Sequence, residues 1–111
     1  MDGRSLFEEE AKTSPMRRLK HHLSAGNIWL YVLSLLGKKS IYAYSLDEEI
    51  EKNFGFKPNK IMIYVVLYKL EAEGLITSEF IERRKYYKIT EKGMATLEDG
   101  KNFLKSLAKR L

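Results

Sequence analysis

The chain has 111 residues, a length that predicts one domain with a real hydrophobic core. Its hydrophobic share of 44% argues against disorder throughout, and the absence of cysteine excludes disulfides and thiolate metal sites. Twenty Lys and Arg against 15 Asp and Glu give a net charge of +5. Such a balance suits a polyanionic partner, although ordinary solubility charge is the alternative explanation.

Membrane and secretory segments are not expected. Apolar runs stay well below the roughly 18 residues that span a bilayer. The first ten residues, MDGRSLFEEE, lack the apolar stretch of a signal peptide. We therefore expect a cytoplasmic protein that does not associate with membranes.

The N-terminal part predicts a tail followed by helices. Residues 1–14 are acidic and polar, which predicts a flexible acidic tail or a loosely docked arm. Ser14 and Pro15 form a good helix start, with Ser as the N-cap. Asn27 is then expected to cap a helix over residues 28–36, which is apolar nearly all round and therefore central and buried.

The next segment predicts a second pair of helices. Residues 40–43 are briefly extended, and Ser45 with Glu48 has the spacing of a capping box for a helix over residues 46–54. Asp47 is expected to face solvent together with the other acidic residues of that helix. Lys57 and Pro58 lie in the break that follows, and Asn59 is expected to start the next helix.

Residues 60–73 allow two interpretations, because β-branched residues are frequent there and a buried strand fits their propensity. A helix is favoured by the Asn59 cap, by the length of the run and by Gly74 as a terminator. Helical periodicity predicts one buried and one outer face. The outer face is expected to carry Ile61, Tyr64, Val65 and Tyr68.

A hairpin and a last helix complete the chain. Residues 75–81 and 85–90 have strand-like composition and flank a basic tip that contains Arg83, Arg84 and Lys85. The helix after Thr90 has an apolar stripe of Leu97, Leu104, Leu107 and Leu111. The fold class predicted from this order is mostly α with a small β-hairpin: residues 15–90 form a winged helix-turn-helix, and residues 91–111 form a C-terminal dimerisation helix.

The chain resembles the PadR family of transcriptional regulators, as a small member of archaeal type. The points of resemblance are Tyr64 with Leu67, Leu70 and Glu71, then Gly74-Leu75-Ile76, and the run from Tyr86 to Gly93, YYKITEKG. The resemblance covers residues 27–93. It departs from the family pattern at Val65, where the family usually has Pro, and in a shorter wing without Gly.

The resemblance implies a homodimer that binds double-stranded DNA and regulates transcription, most simply as a repressor. The helix over residues 60–73 would enter the major groove, and the basic tip would contact the DNA backbone. A fully buried core helix is the alternative. The DNA-binding residues predicted on this basis are Tyr44, Lys57, Asn59, Lys60, Ile61, Tyr64, Val65, Tyr68, Arg83, Arg84 and Lys85.

Three features keep alternative interpretations. Tyr44 either contacts phosphate or packs under the wing. The terminal stripe either forms the dimer interface, as the resemblance implies, or packs on the helix over residues 28–36. The family also includes members that bind planar aromatic molecules at the dimer interface, so Trp29 is a candidate for an effector pocket, with a core tryptophan as the alternative.

Enzymatic signatures are absent: the sequence has no phosphate-binding Gly-rich loop, no HExxH motif and no catalytic triad pattern. We expect neither a cofactor nor a metal, because the adjacent His21 and His22 point about 100° apart on a helix and cannot chelate one ion. The rival hypothesis is a winged-helix module that binds another protein through Ile61 and Val65.

Overall fold

The computed structural model describes residues 5–111 as six α-helices and a three-stranded antiparallel sheet. Residues 1–4 of the predicted acidic tail lie outside the described part. Short 3-10 turns, Ala25–Asn27 and Ala43–Ser45, precede the third and fourth helices. In chain order the elements are α1 Ser5–Glu8, α2 Ser14–Ser24, α3 Ile28–Leu36, β1 Ile41–Tyr42, α4 Leu46–Phe54, α5 Lys60–Ala72, β2 Ile76–Ile81, β3 Arg84–Ile89 and α6 Glu91–Arg110.

Helix α3 forms the centre of the core, as its apolar composition predicts. Val32 and Leu33 are fully buried, and α4, α5, α6 and strand β3 all pack around this helix. Since α3 has apolar residues on nearly every side, it can be covered from several directions at once. The mainly helical winged fold predicted from the sequence is confirmed.

The sheet places β3 between β1 and β2, so that β1 adds a third strand to the predicted hairpin. The register pairs Ile41 with Tyr87 and Ser78 with Tyr87 on the core-facing side. Strand periodicity puts Tyr42 and Tyr86, which are also directly paired, on the opposite side. The sheet therefore has one buried face and one open face.

Helix α6 is fixed to the body of the protein at its first turn. The Thr90 hydroxyl donates to the Gly74 carbonyl at 2.7 Å and accepts from the Gly93 amide at 3.0 Å, which caps the helix. Gly93 is buried so closely that a Cβ added there would lie 2.1 Å from the Leu75 carbonyl oxygen. This contact requires glycine and joins α6 to the turn between α5 and β2.

Residues 5–14 differ from the predicted flexible tail. Phe7 on α1 packs edge-to-face against Tyr31 and Phe56, with ring centroids 6.0 Å and 5.1 Å away. Phe54 joins the same cluster by contacting Tyr31. An aromatic ring buries a large apolar surface, and the Lys20 ammonium also donates to the Glu9 carbonyl at 2.7 Å, so the arm is held against the body of the protein.

Three predicted side-chain caps are not formed. Thr13, in extended conformation, holds the N-cap position of α2, and Ser14 is already helical. Ser45 is in a 3-10 turn, and its side chain makes no capping hydrogen bond, so the Ser45–Glu48 capping box is wrong. The predicted cap at Asn27 is also replaced, because its side-chain oxygen accepts from the Trp29 indole at 3.2 Å.

Candidate nucleic-acid interface

Helix α5 has one face in the core and the other in solvent along its whole length. Ile63, Leu67 and Leu70 are buried, whereas Ile61 and Tyr68 are 73% and 77% exposed. Tyr64 and Val65 are also exposed between them. The outer face predicted from helical periodicity is therefore free to meet a partner, and the alternative of a fully buried helix is wrong.

Asn59 begins α5 as expected, since its side-chain oxygen accepts a hydrogen bond from the Ile61 amide at 2.7 Å. Gly74 ends the helical segment with φ = +77°, a conformation that glycine adopts without strain. The Asn59 oxygen, predicted to contact DNA, is therefore engaged in capping. Both ends of α5 are fixed by local residues, and this defines where its outer face begins and ends.

Lys60 is occupied within the protein. Its ammonium donates to the Tyr44 carbonyl at 2.8 Å and to an Asp47 carboxylate oxygen at 3.0 Å. It also lies 3.8 Å above the centroid of the Tyr44 ring, a cation–π geometry. The hydrogen bond to Asp47 raises the pKa of Lys60 above its ordinary value. Lys60 thus has a structural role, and its phosphate contact stays a prediction.

Asp47, the partner of Lys60, was predicted to face solvent, and that prediction is wrong. It is 2% exposed, because its position in the first turn of α4 faces the start of α5. A buried carboxylate needs a partner, and Lys60 supplies it. The ion pair joins α4 to α5 and fixes the angle between the two helices of the helix-turn-helix.

A row of aromatic and cationic side chains runs from α5 to the hairpin. The Tyr44 ring lies 6.1 Å from Tyr42, which lies 5.7 Å from Tyr86 on the open face of the sheet. The Arg84 guanidinium stands 5.1 Å from the Tyr42 ring. Tyr44 remains exposed at the other end of the row. Tyr44 thus contacts Tyr42 and Lys60 while remaining 56% exposed, and both of its predicted roles, phosphate contact and packing under the wing, stay open.

The hairpin tip is a two-residue turn at Glu82 and Arg83, with φ = +50° and +71°. Positive φ at both central residues is the requirement of a type I′ turn, the tight turn whose twist matches a hairpin. Arg83 and Arg84 are exposed there, and the Lys85 ammonium lies back over the Tyr87 ring at 5.3 Å. Lys57 is exposed in the connection before α5.

Three residues of this surface were not singled out from the sequence. Tyr42 and Tyr86 connect the row, and Phe80 is a large exposed apolar side chain on β2. Strand alternation and the antiparallel register could have identified the first two, because residues that share a face in paired strands meet. Phe80 gave no signal, since aromatic residues are ordinary in strands.

The terminal stripe divides into two parts. Leu97 is 8% exposed and belongs to the core of its own protomer, so it has little surface left for a dimer contact. Leu104 and Leu107 are partly open, and Leu111 is 96% exposed. The prediction of one continuous dimer stripe is corrected for Leu97 and remains for the other three leucines.

Trp29 lines two open clefts. The first, about 340 Å³, lies between α3, α5 and the start of α6 and includes Val66, Lys69 and Glu73. The second, about 300 Å³, lies against the exposed half of α6 beside Leu104 and Leu107. Trp29 is partly buried and packs against the core, so the core tryptophan and the effector pocket both stay open.

Within residues 5–111, no helix has the length and apolar character needed to cross a bilayer. Over the same part of the chain, no three His, Asp or Glu side chains come together as a metal site would require.

A protein from Lysinibacillus sphaericus of uncharacterized function is 30% identical over 81 residues, covering 67% of this chain and 74% of its own. A PadR family transcriptional regulator from Eggerthella lenta superposes with a TM-score of 0.75 at 25% identity, covering 86% of this chain and 87% of that one.

A PadR family transcription regulator from Clostridium difficile gives a TM-score of 0.69 at 28% identity, covering 76% of this chain and 93% of that one. The model of the transcriptional regulator PadR-like family matches residues 32–99, which is more than half of the chain and includes α5, the hairpin and the anchored half of α6. On the agreement of sequence, fold and surface, the chain belongs to the PadR-like family of transcriptional regulators.

Proposed function

We propose that this regulator is a cytoplasmic homodimer that binds specific sequences of double-stranded DNA and represses transcription by occupying them. The observation that carries the proposal is the outer face of α5, which is bare along the helix and continues through Tyr44 and Tyr42 to the basic wing. A helix with such a face, beside a cationic hairpin, suits the major groove and the adjoining phosphates. Membership of an archaeal type stays a prediction.

The side chains on the outer face of α5 are suited to recognise a DNA sequence. Ile61 and Val65 are exposed apolar side chains that suit the methyl groups of thymine, whereas Tyr64 and Tyr68 carry hydroxyls for base edges or phosphates. Exposed apolar side chains next to hydroxyl groups match the major-groove edges of base pairs, which present methyl groups beside hydrogen-bond donors and acceptors. We therefore expect α5 to prefer sites with thymines at defined positions.

The cationic side chains supply affinity that does not depend on sequence. Arg83, Arg84 and Lys57 are exposed, and Arg84 is held by Tyr42 so that its position is fixed relative to α5. Arginine side chains bind phosphate oxygens with several hydrogen bonds. Lys60 is left out of this group because Asp47 and the Tyr44 carbonyl occupy its ammonium.

The test separates the two kinds of contact. Duplexes are selected from a random pool with the full chain, and binding is measured by fluorescence anisotropy for the wild type and for Val65→Ala and Arg84→Ala. We expect Val65→Ala to change which sequences are preferred and Arg84→Ala to weaken all duplexes alike. Identical preference profiles for the two variants would remove α5 as the reading helix.

A protein-binding module is the second candidate. Ile61 and Tyr68 are large, highly exposed side chains on one face of α5, and exposed apolar patches often mark protein–protein interfaces. Salt dependence distinguishes the two. Binding of DNA weakens steeply as salt rises, since counterions are released from phosphates. Absence of any duplex binding at low salt, with α5 intact, would favour the protein partner.

We propose further that a planar aromatic effector binds beside Trp29. The cleft lined by Trp29 and Leu104 borders the proposed dimer helix, so a ligand there would touch both protomers. Quenching of the fluorescence of Trp29, the one tryptophan of the chain, reports such binding directly. A Trp29→Leu variant that still binds the same ligand in calorimetry would place the ligand elsewhere.

A further inference from the structure

Phe80 is an unpartnered aromatic side chain on the wing. It is 72% exposed, although it lies on the face of the hairpin that carries the buried Ile76 and Tyr87. Residues opposite each other in the register share a face, so Phe80 also shares it with Lys85. The core ends before this part of the strand, and Phe80 projects beyond it.

The direction of Phe80 follows from its neighbours. Ser78, two residues earlier on the same face, donates its hydroxyl to the Glu71 carboxylate at 2.7 Å, and Glu71 belongs to the last turn of α5. The face that carries Phe80 is therefore the α5 side of the hairpin. Lys85, its cross-strand partner, extends back towards the Tyr87 ring and leaves the Phe80 ring uncovered.

We propose that Phe80 is an apolar wedge that inserts between base pairs of the duplex from the minor groove and bends the DNA next to α5. The inference rests on the proposed DNA binding and adds a residue and a deformation to it. Minor-groove wedges in proteins are apolar side chains, Phe among them, that partly unstack one base step. The wing supplies the matching charge, since Arg83 in the turn and Arg84 directly after it are exposed at the tip.

The hairpin is suited to present such a wedge. Its two-residue turn keeps the tip narrow, and its strands are paired without interruption from Ile76 with Ile89 to Ile81 with Arg84. Arg84 is further held against Tyr42 on the opposite face. A wedge residue needs a rigid support. Ordering a mobile side chain on binding costs conformational entropy, and less free energy would then remain to unstack the bases.

Binding and bending are measured together. The probe is a duplex of about 30 base pairs chosen from a random pool by the wild-type protein, with donor and acceptor dyes at its ends. We expect energy transfer to rise when the wild-type protein binds, because bending brings the ends together. In Phe80→Thr, which keeps strand propensity, we expect weaker binding by about tenfold, the scale of one base–aromatic stack, and loss of the rise in energy transfer.

A duplex with a mismatched base pair gives a second test of the wedge. A mismatch in the sequence that flanks the α5 site lowers the cost of unstacking. We expect the wild type to bind the mismatched duplex more tightly than the matched one, and Phe80→Thr to bind both equally. Phe80→Leu, which restores an apolar wedge, should regain part of the bend.

Ile81→Ala is the matched control, because Ile81 is an exposed apolar neighbour on the opposite face of the same strand. It should bend DNA like the wild type. An unchanged bend and affinity in Phe80→Thr would overturn the wedge, whereas lack of duplex binding by the wild type would overturn the proposed function itself. Thermal melting of each variant separates loss of folding from loss of contact.

Discussion

Helices α5 and α6 both expose large apolar side chains, but they do so in different ways. Helix α5 is anchored along its length by Ile63, Leu67 and Leu70, and its opposite face mixes aliphatic groups with tyrosines. Helix α6 is anchored only in its first half, through Gly93 and Leu97, and residues 101–111 are all exposed. The rigid, mixed face of α5 suits a partner with polar groups, whereas the exposed half of α6 suits an apolar partner.

The difference between the two helices follows from the free energy that each exposed surface would gain on binding a partner. Burying an exposed leucine fully stabilises an interface by roughly 1.5–3 kcal/mol. The end of α6 carries three leucines, Leu104, Leu107 and Leu111, at spacings that place them along one side of the helix. On α5 the tyrosine hydroxyls would be left without partners in an apolar interface. The two helices are thus expected to serve different partners, a second copy for α6 and DNA for α5.

The largest effect is expected from breaking the α6 stripe. Leu104→Glu together with Leu107→Glu should give a monomer and weaken binding to a two-site palindromic duplex by about 100-fold or more, because the second site is no longer linked. Analytical ultracentrifugation and anisotropy measure the two consequences.

The matched control for that change adds the same charge to another face of α6. Asn102→Glu with Ser106→Glu alters exposed residues away from the two leucines, and we expect the dimer to persist. A dimer that survives the leucine changes as well would place the interface elsewhere.

The anchor of α6 is tested at Gly93. Gly93→Ala forces a Cβ against the Leu75 carbonyl and the Ile89 side chain, 2.7 Å away, and should destabilise the fold by about 3 kcal/mol. Urea denaturation measures the change.

Gly100→Ala provides the contrast within the same helix. Its Cβ would meet the Trp29 ring at 3.1 Å, a contact that a small shift relieves. The helix propensity of Ala offsets the crowding by about 1 kcal/mol, so we expect a net change near zero. Equal losses for both variants would contradict a tight contact confined to the first turn.

The salt dependence of DNA binding separates the cations of the proposed interface from Lys60. With Lys57, Arg83, Arg84 and Lys85 from two protomers facing phosphates, the slope of log K against log salt should be about −7. Arg84→Ala should reduce its magnitude by about 2, because two contacts are lost, whereas Lys60→Met should leave it unchanged.

Lys105→Ala, which removes a cation from the exposed half of α6, is the control for general charge. Its slope should equal that of the wild type. A slope for Lys60→Met that falls like that of Arg84→Ala would mean that Lys60 leaves Asp47 when DNA binds.

The anchor between α4 and α5 is expected to titrate, and this is the smallest effect. Because Asp47 raises the pKa of Lys60, the stability from this pair is fully present below the ordinary pKa of lysine, 10.5, and is lost as pH rises through the raised value. The difference in unfolding free energy between wild type and Lys60→Met should therefore stay constant to about pH 9.5 and shrink above it.

Tyr31 does not interfere with that difference. Burial raises the pKa of Tyr31 to about 12, but Tyr31 is present in both proteins and its contribution cancels. Lys60→Arg should keep its advantage over Lys60→Met at high pH, since arginine stays charged. A difference independent of pH for the wild type would show that the ion pair does not stabilise the fold.

Much of the fold was readable from local patterns. Asn59 and Gly74 bound α5 as predicted, and the buried and exposed residues of that helix follow its 3.6-residue period. The first strand of the hairpin ends at Ile81 as predicted and begins one residue later, and the second strand is shifted by one residue towards the N-terminus. These features depend on residues close together in the chain, whose preferences survive into the folded state.

Contacts between distant segments were less accessible. Asp47 and Lys60 are 13 residues apart, and nothing in either local sequence shows that the turn between α4 and α5 brings them together. The same holds for Phe7, whose burial depends on Tyr31 and Phe56. Leu97 looked like part of a surface stripe because periodicity gives the face of a helix but not where along the helix the core ends.

The sequence by itself determined the order of elements, the two faces of α5 and the basic composition of the wing, because periodicity, caps and turn residues act locally. Tertiary structure alone decided that Lys60 pairs with a buried carboxylate and that Tyr44 and Tyr42 link α5 to Arg84. It also decided that α6 is anchored for only half its length. Those features depend on where separate segments meet in space, which local preference does not encode.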